Sequence, residues 1–404
     1  MATVCLLALL AFSSTVVLNL NPRLAAQSAE ALRGVIGDQN VAILESWVLG
    51  WQDTLQSWVF VARGDKPQAL FASPTPAPVV IVLVSSPTPT PFPASTSGTP
   101  LPTATAAPPT PATHPPPSPT AAPANQPKSL KPIGNVEGEG AWYAFINNPA
   151  GQPVGFRTFL APDPQRAYAL AAVVAIDLTG TRLRYELGTI EPVAFDPNDT
   201  TPRPGRIPAS DLNSGLVVAA FNGGFRAQHG AFGVMVNGSV LIAPRTGFGT
   251  IAMYDDGRVA IGNWGDGVFY DPGLRTWRQN GPLIVQNGQV NPHTADTSPE
   301  DWGYTVGGGT ATWRSGLGLS ADGRTLYYIA GGYLTLPTLA AAMADTGAAN
   351  AVQLDINNYW VSFDAIQSDA GVFSSVPLMD GMKNDNRYLH AFERDFFYLV
   401  ANSQ

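Results

Sequence analysis

Residues Leu44, Trp47, Val48, Trp51, Leu55, Trp58, Val59 and Ala62 recur at steps of three and four, with Glu45, Gln52, Asp53 and Gln56 on the other side of the same wheel. That period predicts an amphipathic α-helix. Ahead of it, residues 1–20 hold no charge and include an apolar run at 4–12, long enough for a signal-peptide core and marginal for a membrane span. Residues 1–25 are therefore expected to be a signal peptide or membrane anchor, and 26–66 a membrane-proximal amphipathic helix. Its three Trp suit either a lipid headgroup boundary or a self-association seam.

The rhythm stops after Lys66. From there to Lys128 no charged residue occurs, and 18 of the 37 prolines fall between Pro74 and Pro127 among Thr, Ser and Ala. Pro fixes φ and removes backbone donors, so 67–132 reads as a disordered, extended Pro/Thr-rich stalk. The apolar interruption at 79–84 is too short to cross a bilayer as a helix and suits a strand or a sticky patch.

From about residue 135 the pattern turns to short β-type runs punctuated by turn dipeptides. Asn237-Gly238, Asp256-Gly257, Asn287-Gly288 and Asp322-Gly323 each follow or separate such runs, and these dipeptides favour tight hairpins because both central residues tolerate positive φ. One helix stands out at 335–346, with Thr335 as N-cap, Pro337 in the first turn and Gly347 beyond the end. The apolar run 350–354 then delivers Asp355 at a strand's carboxyl end, where ligand sites gather in sheets with crossover helices. The expected fold is α+β: a mixed, largely antiparallel sheet with hairpins and a few helices over 135–404, preceded by the stalk.

Charge narrows the chemistry. The net charge is −8, which gives no general basic field for a nucleic acid. A single Cys and four His exclude a Cys-rich cluster and leave little for a His-based metal site. Asp177, Asp355 and nearby Asn lack EF-hand-like spacing. No cofactor and no metal are expected, and the apolar leader points to an extracytoplasmic protein, membrane-anchored or secreted.

Three constellations carry candidate chemistry. Asn222-Gly223-Gly224 ends an apolar run, so its amides can approach a ligand closely while the Asn side chain both donates and accepts; a plain strand-ending turn reads the same way. Arg314, a permanent charge in apolar surroundings, calls for a carboxylate or phosphate partner, or else faces outward. Asp355 follows an apolar strand and demands hydrogen bonds or a counter-ion, with a structural bridge to Arg314 as the plain alternative.

In order along residues 216–363, these blocks resemble the phosphodiester glycosidase family: the strand into Asn222-Gly223-Gly224-Phe225, the 233–238 hairpin, Asn280-Gly281-Pro282, Arg314 leading into an Asp-Gly hairpin, and the helix feeding Gln353-Leu354-Asp355. The resemblance implies a mixed α+β catalytic domain that hydrolyses a sugar joined through its anomeric oxygen to phosphate, with a glycan or sugar-phosphate as partner. It implies Asp355, Arg314 and Asn222 as catalytic residues. Gly223, Gly224, His229, Arg245, Asn357 and Asn358 are the substrate-binding candidates, with Arg226 assisting at the phosphate and His229 equally readable as an exposed loop residue. Where the family reads Leu-Asp-Gly-Gly, this chain has Leu354-Asp355-Ile356-Asn357. The missing Gly pair motivates a second reading, a non-catalytic glycan-binding module. Tyr359 and Trp360 offer a stacking face, with at least one expected in the core.

Overall fold

The computed structural model describes residues 22–71, 125–296, 302, 306–369 and 371–403. The 4–12 run and the 79–84 interruption lie outside the described residues. Among those described, no helix is long and apolar enough to cross a membrane.

Three sheets build the domain. The largest orders its strands as Tyr143–Asn147, Pro153–Leu160, Ala171–Asp177, Thr325–Leu334, Thr312–Ser320, Ala348–Ile356, Leu283–Gln286 and Gln289–Val290. A five-stranded sheet runs Val372–Pro377, Phe363–Asp369, Val217–Asn222, Phe396–Ala401, Thr181–Glu186. A six-stranded sheet carries the 234–242 and 249–264 hairpins. Pairing is antiparallel except at the short Gly267–Val268 edge, as the run of turn dipeptides requires.

Side-chain alternation decides the layers. In Thr325–Leu334, residues Leu326, Tyr328 and Ala330 enter a core shared with the other two sheets, whereas Tyr327 and Ile329 face the opposite side. At the centre of the shared core Phe221 stacks on Phe363 and Phe397, each 5.5 Å between ring centroids, with Tyr328 at 5.2 Å. The opposite side is covered by the helix Leu336–Asp345. Thr335 caps it reciprocally with Thr338, and Gly347 follows at φ 86°. This helix links two like-directed strands, Thr325–Leu334 and Ala348–Ile356, with Thr312–Ser320 antiparallel between them.

The two kinds of turn dipeptide behave differently. At Asn237-Gly238 and Asn287-Gly288 both residues have positive φ, whereas at Asp256-Gly257 and Asp322-Gly323 only the Gly does. There the Asp carboxylate accepts from an amide two residues on, Arg258 N at 2.8 Å and Arg324 N at 3.1 Å, and this local bond holds it outside the left-handed region.

Two expectations are corrected. The single N-terminal helix is a helical hairpin, Pro22–Ile36 and Asp38–Arg63, broken at Gly37 with φ 85°. Of the segment expected as a stalk at 67–132, the described residues at both ends pack onto the domain. Phe71 is buried in the shared core under the Arg157 guanidinium, and Lys128 O and Gly140 O accept from Trp142 Nε1 and Leu130 N.

Candidate active site

Three strand ends converge beside the helical hairpin. Ala348–Ile356 brings Asp355, Val217–Asn222 runs into Gly223-Gly224, and Arg394-Asp395 lead into Phe396–Ala401. Backbone bonds fasten them: Asp355 N donates to Gly223 O at 3.1 Å, and Gly223 N to Asp395 O at 3.0 Å.

Asp355 is buried. Its Oδ2 accepts from Arg394 Nη2, and its Oδ1 from the Ile356 amide at 3.0 Å. Burial pushes its pKa up to about 6, against the opposing pull of Arg394. Arg394 Nη2 also donates to Gly224 O at 3.1 Å, and its guanidinium lies 4.7 Å over the Trp360 ring. Glu191 accepts from Arg226 Nε at 2.8 Å and Ala227 N at 3.0 Å. Burial works to raise its pKa, but Arg394, the Ala227 amide and Arg226 outweigh it and the net shift is downward.

These groups line a cavity of about 300 Å³ together with His229, Asn357 and Glu393. Burial and the charges of Arg33, Arg394 and Arg226 hold the His229 pKa well below its ordinary value, so the ring is neutral. Among the described residues, His229 Nε2 and Arg394 Nε have no hydrogen-bond partner. The cavity therefore combines the high-pKa Asp355 carboxylate, four further glutamates, three arginines paired to them and these two unpartnered nitrogen atoms, a polar site of paired charges into which a polar ligand could insert.

The helical hairpin closes the cavity with Glu30, Arg33, Glu45 and Leu49. Glu30 pairs with Arg226 and accepts from Gln228 Nε2 at 3.0 Å. Farther along, Asp53 accepts from Arg166 Nε at 2.9 Å and from Tyr168 OH at 2.8 Å.

The residues expected from sequence divide sharply. Asp355, His229, Asn357 and Arg226 line the cavity, and so does Trp360, while Tyr359 packs inside. Arg314, Asn222, Gly223, Gly224, Arg245 and Asn358 do not line it. Arg314 is fully buried and has carbonyls as partners rather than a carboxylate or phosphate. It donates to Leu334 O, Gly307 O and Thr310 O at 2.9–3.0 Å and to Gln353 Oε1 at 3.0 Å. Burial lowers its pKa to about 9. The structural bridge at Asp355 is made by Arg394 instead.

Asn222 spends its capacity on Ser315 Oγ, Gly223 O, Tyr328 OH and Ser362 N. Since Ser315 Oγ donates in turn to Asp355 O at 2.7 Å, Asn222 positions the Asp355 backbone. The Gly pair is needed for close approach by protein groups. A Cβ on Gly223 would stand 2.4 Å from Asp395 Oδ2, and one on Gly224 2.9 Å from Asn280 Oδ1. Arg245 donates to Gly230 O and lies 3.8 Å over Phe248. The Gly-to-Asn change after Asp355 is accommodated, because Asn357 takes φ 86° and its Oδ1 accepts from Tyr359 N at 2.9 Å.

Sequence reasoning missed Arg394, Asp395, Arg278 and Glu191. Asp395 is buried with Arg278 Nε at 2.8 Å, Tyr185 OH at 2.9 Å and Gly224 N at 3.3 Å. The available signal was the charged triplet Glu393-Arg394-Asp395 running directly into the wholly buried strand Phe396–Ala401. Among the described residues no group of three His, Cys, Asp or Glu side chains is placed to hold a metal ion.

Residues 215–355 match the phosphodiester glycosidase family model. No curated protein matches the chain. Among solved structures, the chain is similar to the zebrafish N-acetylglucosamine-1-phosphodiester alpha-N-acetylglucosaminidase catalytic domain, described as auto-inhibited by its pro-peptide. That likeness has 12% identity and a TM-score of 0.37, over 69% of this chain and 87% of that one. A hypothetical protein from Synechocystis is similar at 13% identity and a TM-score of 0.34, over 69% of this chain and 65% of that one.

Proposed function

We propose, taking the phosphodiester glycosidase family of residues 215–355 as the premise, that this chain is an extracytoplasmic hydrolase of a glycosyl phosphodiester in an envelope polysaccharide or glycoconjugate. The observation that carries the reading is the meeting of Asp355 with Arg394 and Arg226 around one cavity. A phosphate monoester leaves far more readily than a sugar hydroxyl, so the reaction depends on charge stabilisation more than on a strong acid.

Arg226 and Arg394 neutralise the departing phosphate. Asp355, mostly ionised above its pKa of about 6, stabilises the positive charge growing at the anomeric carbon. Neutral His229 supplies a hydrogen bond without adding a like charge to the arginines, and Trp360, backed by Arg394, offers an aromatic face to the sugar. The extracytoplasmic placement draws on the uncharged apolar leader.

The test incubates the full chain and its Asp355→Asn variant with a panel of sugar-1-phosphodiesters and follows free sugar. Release should fall by about 10²–10⁴-fold in the variant, with ligand-induced thermal protection retained. Release unaffected by Asp355→Asn would overturn the assignment. Thermal protection by a sugar phosphodiester without any release from the wild-type chain would make the protein a glycan-binding module.

A further inference from the structure

The helix Asp38–Arg63 is turned inside out relative to an ordinary surface helix. Its acidic side chains are spent inward, Glu45 on Arg33 of the preceding helix at 2.6 Å and Asp53 on Arg166 and Tyr168 of the domain. Its apolar side points away: Ile43, Leu44, Trp47, Trp51, Leu55, Trp58 and Val61 are all exposed, Trp58 by 74%. Between Ile43 and Val61 the exposed positions carry no charge. Leu32, Val35 and Ile36, beside the hairpin's turn, are exposed as well. An amphipathic helix normally buries its apolar stripe against its own core, and an exposed patch of this kind marks an interaction surface.

We infer that this face rests on a lipid surface, with the helix lying in the headgroup plane. Two observations select lipid as the occupant. Three Trp in one uncharged stripe are the residues favoured at a membrane–water boundary. Ahead of the hairpin the sequence holds a further uncharged segment, residues 1–20 with the apolar 4–12 run, whose composition is compatible with lipid. With no basic residue between Ile43 and Val61 and a net charge of −8, the contact is apolar rather than electrostatic.

The experiment mixes the full chain with phosphatidylcholine vesicles, with and without brominated acyl chains, and compares it with a Trp47→Phe/Trp51→Phe/Trp58→Phe variant. All three positions are exposed, so the variant retains its fold. Brominated vesicles should quench about a third of wild-type emission, the share of three Trp among nine, and almost none of that fraction in the variant. Replacing part of the lipid by phosphatidylglycerol should leave the quenching unchanged. Equal quenching in both proteins overturns the inference. So does a concentration-dependent dimer, in the absence of vesicles, that shields these Trp from iodide. A steep, salt-sensitive gain with phosphatidylglycerol overturns it too, by assigning the contact to basic groups elsewhere.

Discussion

A phosphate bound at Arg226 would compete with Glu30 for its guanidinium, so Glu30→Gln probes how the cavity admits an anion. The substitution removes the charge, keeps the shape and leaves an oxygen to accept from Gln228 Nε2. The Glu30 side chain is 37% exposed and that of Arg226 20%, which places their pair among partly solvated ion pairs worth about 0.2–1 kcal/mol. That energy opposes substrate binding in the wild-type chain. Since 1.4 kcal/mol is tenfold in affinity, the variant should show a KM for a sugar-1-phosphodiester lower by up to about fivefold, with kcat unchanged. The gain should shrink at high salt, where exposed pairs are screened. Steady-state sugar release by the full chain at low and high salt measures it. A higher KM in the variant would refute the reasoning, because Glu30 would then be holding the substrate rather than competing with it.

Asp355 must be ionised to stabilise a cation, so turnover should rise with pH through about 6 as a single ionisation; a flat profile there would remove it from that role. Burial also pushes Asp364 and Glu186 up, each to about 7. Groups raised above their unfolded values bind protons more tightly in the folded chain, so their stabilisation is full below about pH 4 and is lost as pH rises through 6 to 7. The unfolding free energy from urea titration should therefore be larger near pH 5 than near pH 8, by on the order of 2–3 kcal/mol for each group, partly offset by neutral His229, whose lowered pKa favours the higher pH. Asn357→Gly should preserve stability, whereas Asn357→Val, forced into the same positive φ, should cost about 1–2 kcal/mol, read from denaturation midpoints.

Local chemistry made part of this legible in the sequence. Asn-Gly turns, the Thr335 cap and the apolar run ending at Asp355 are decided within a few residues, and the structure keeps all three. The partner of Asp355 was not local. Arg394 lies 39 residues away, and the charged triplet around it says nothing of which carboxylate it meets. Arg314 shows the converse: burial of a guanidinium was readable, but whether a carboxylate or a cage of carbonyls satisfies it depends on where Gly307 and Thr310 turn. The period at 44–62 falls inside the helix Asp38–Arg63, whereas the break at Gly37 that makes a hairpin was not read. Which side of that helix faces the domain is set by Arg166 and Tyr168, residues outside its own period.

The strand Phe396–Ala401 lies between Val217–Asn222 and Thr181–Glu186, partners roughly 180 to 210 residues earlier in the chain. Pairing across such separations is slow to form, because loop closure must precede any stabilising contact. Arg394 and Asp395 arrive with that strand, so neither the Asp355 ion pair nor the locked Gly223-Gly224 turn exists until the most distant pairing is made. The refolding rate and the appearance of substrate affinity should therefore share one slow phase. A chain halted before it would present two open strand edges, and aggregation would be its main competitor.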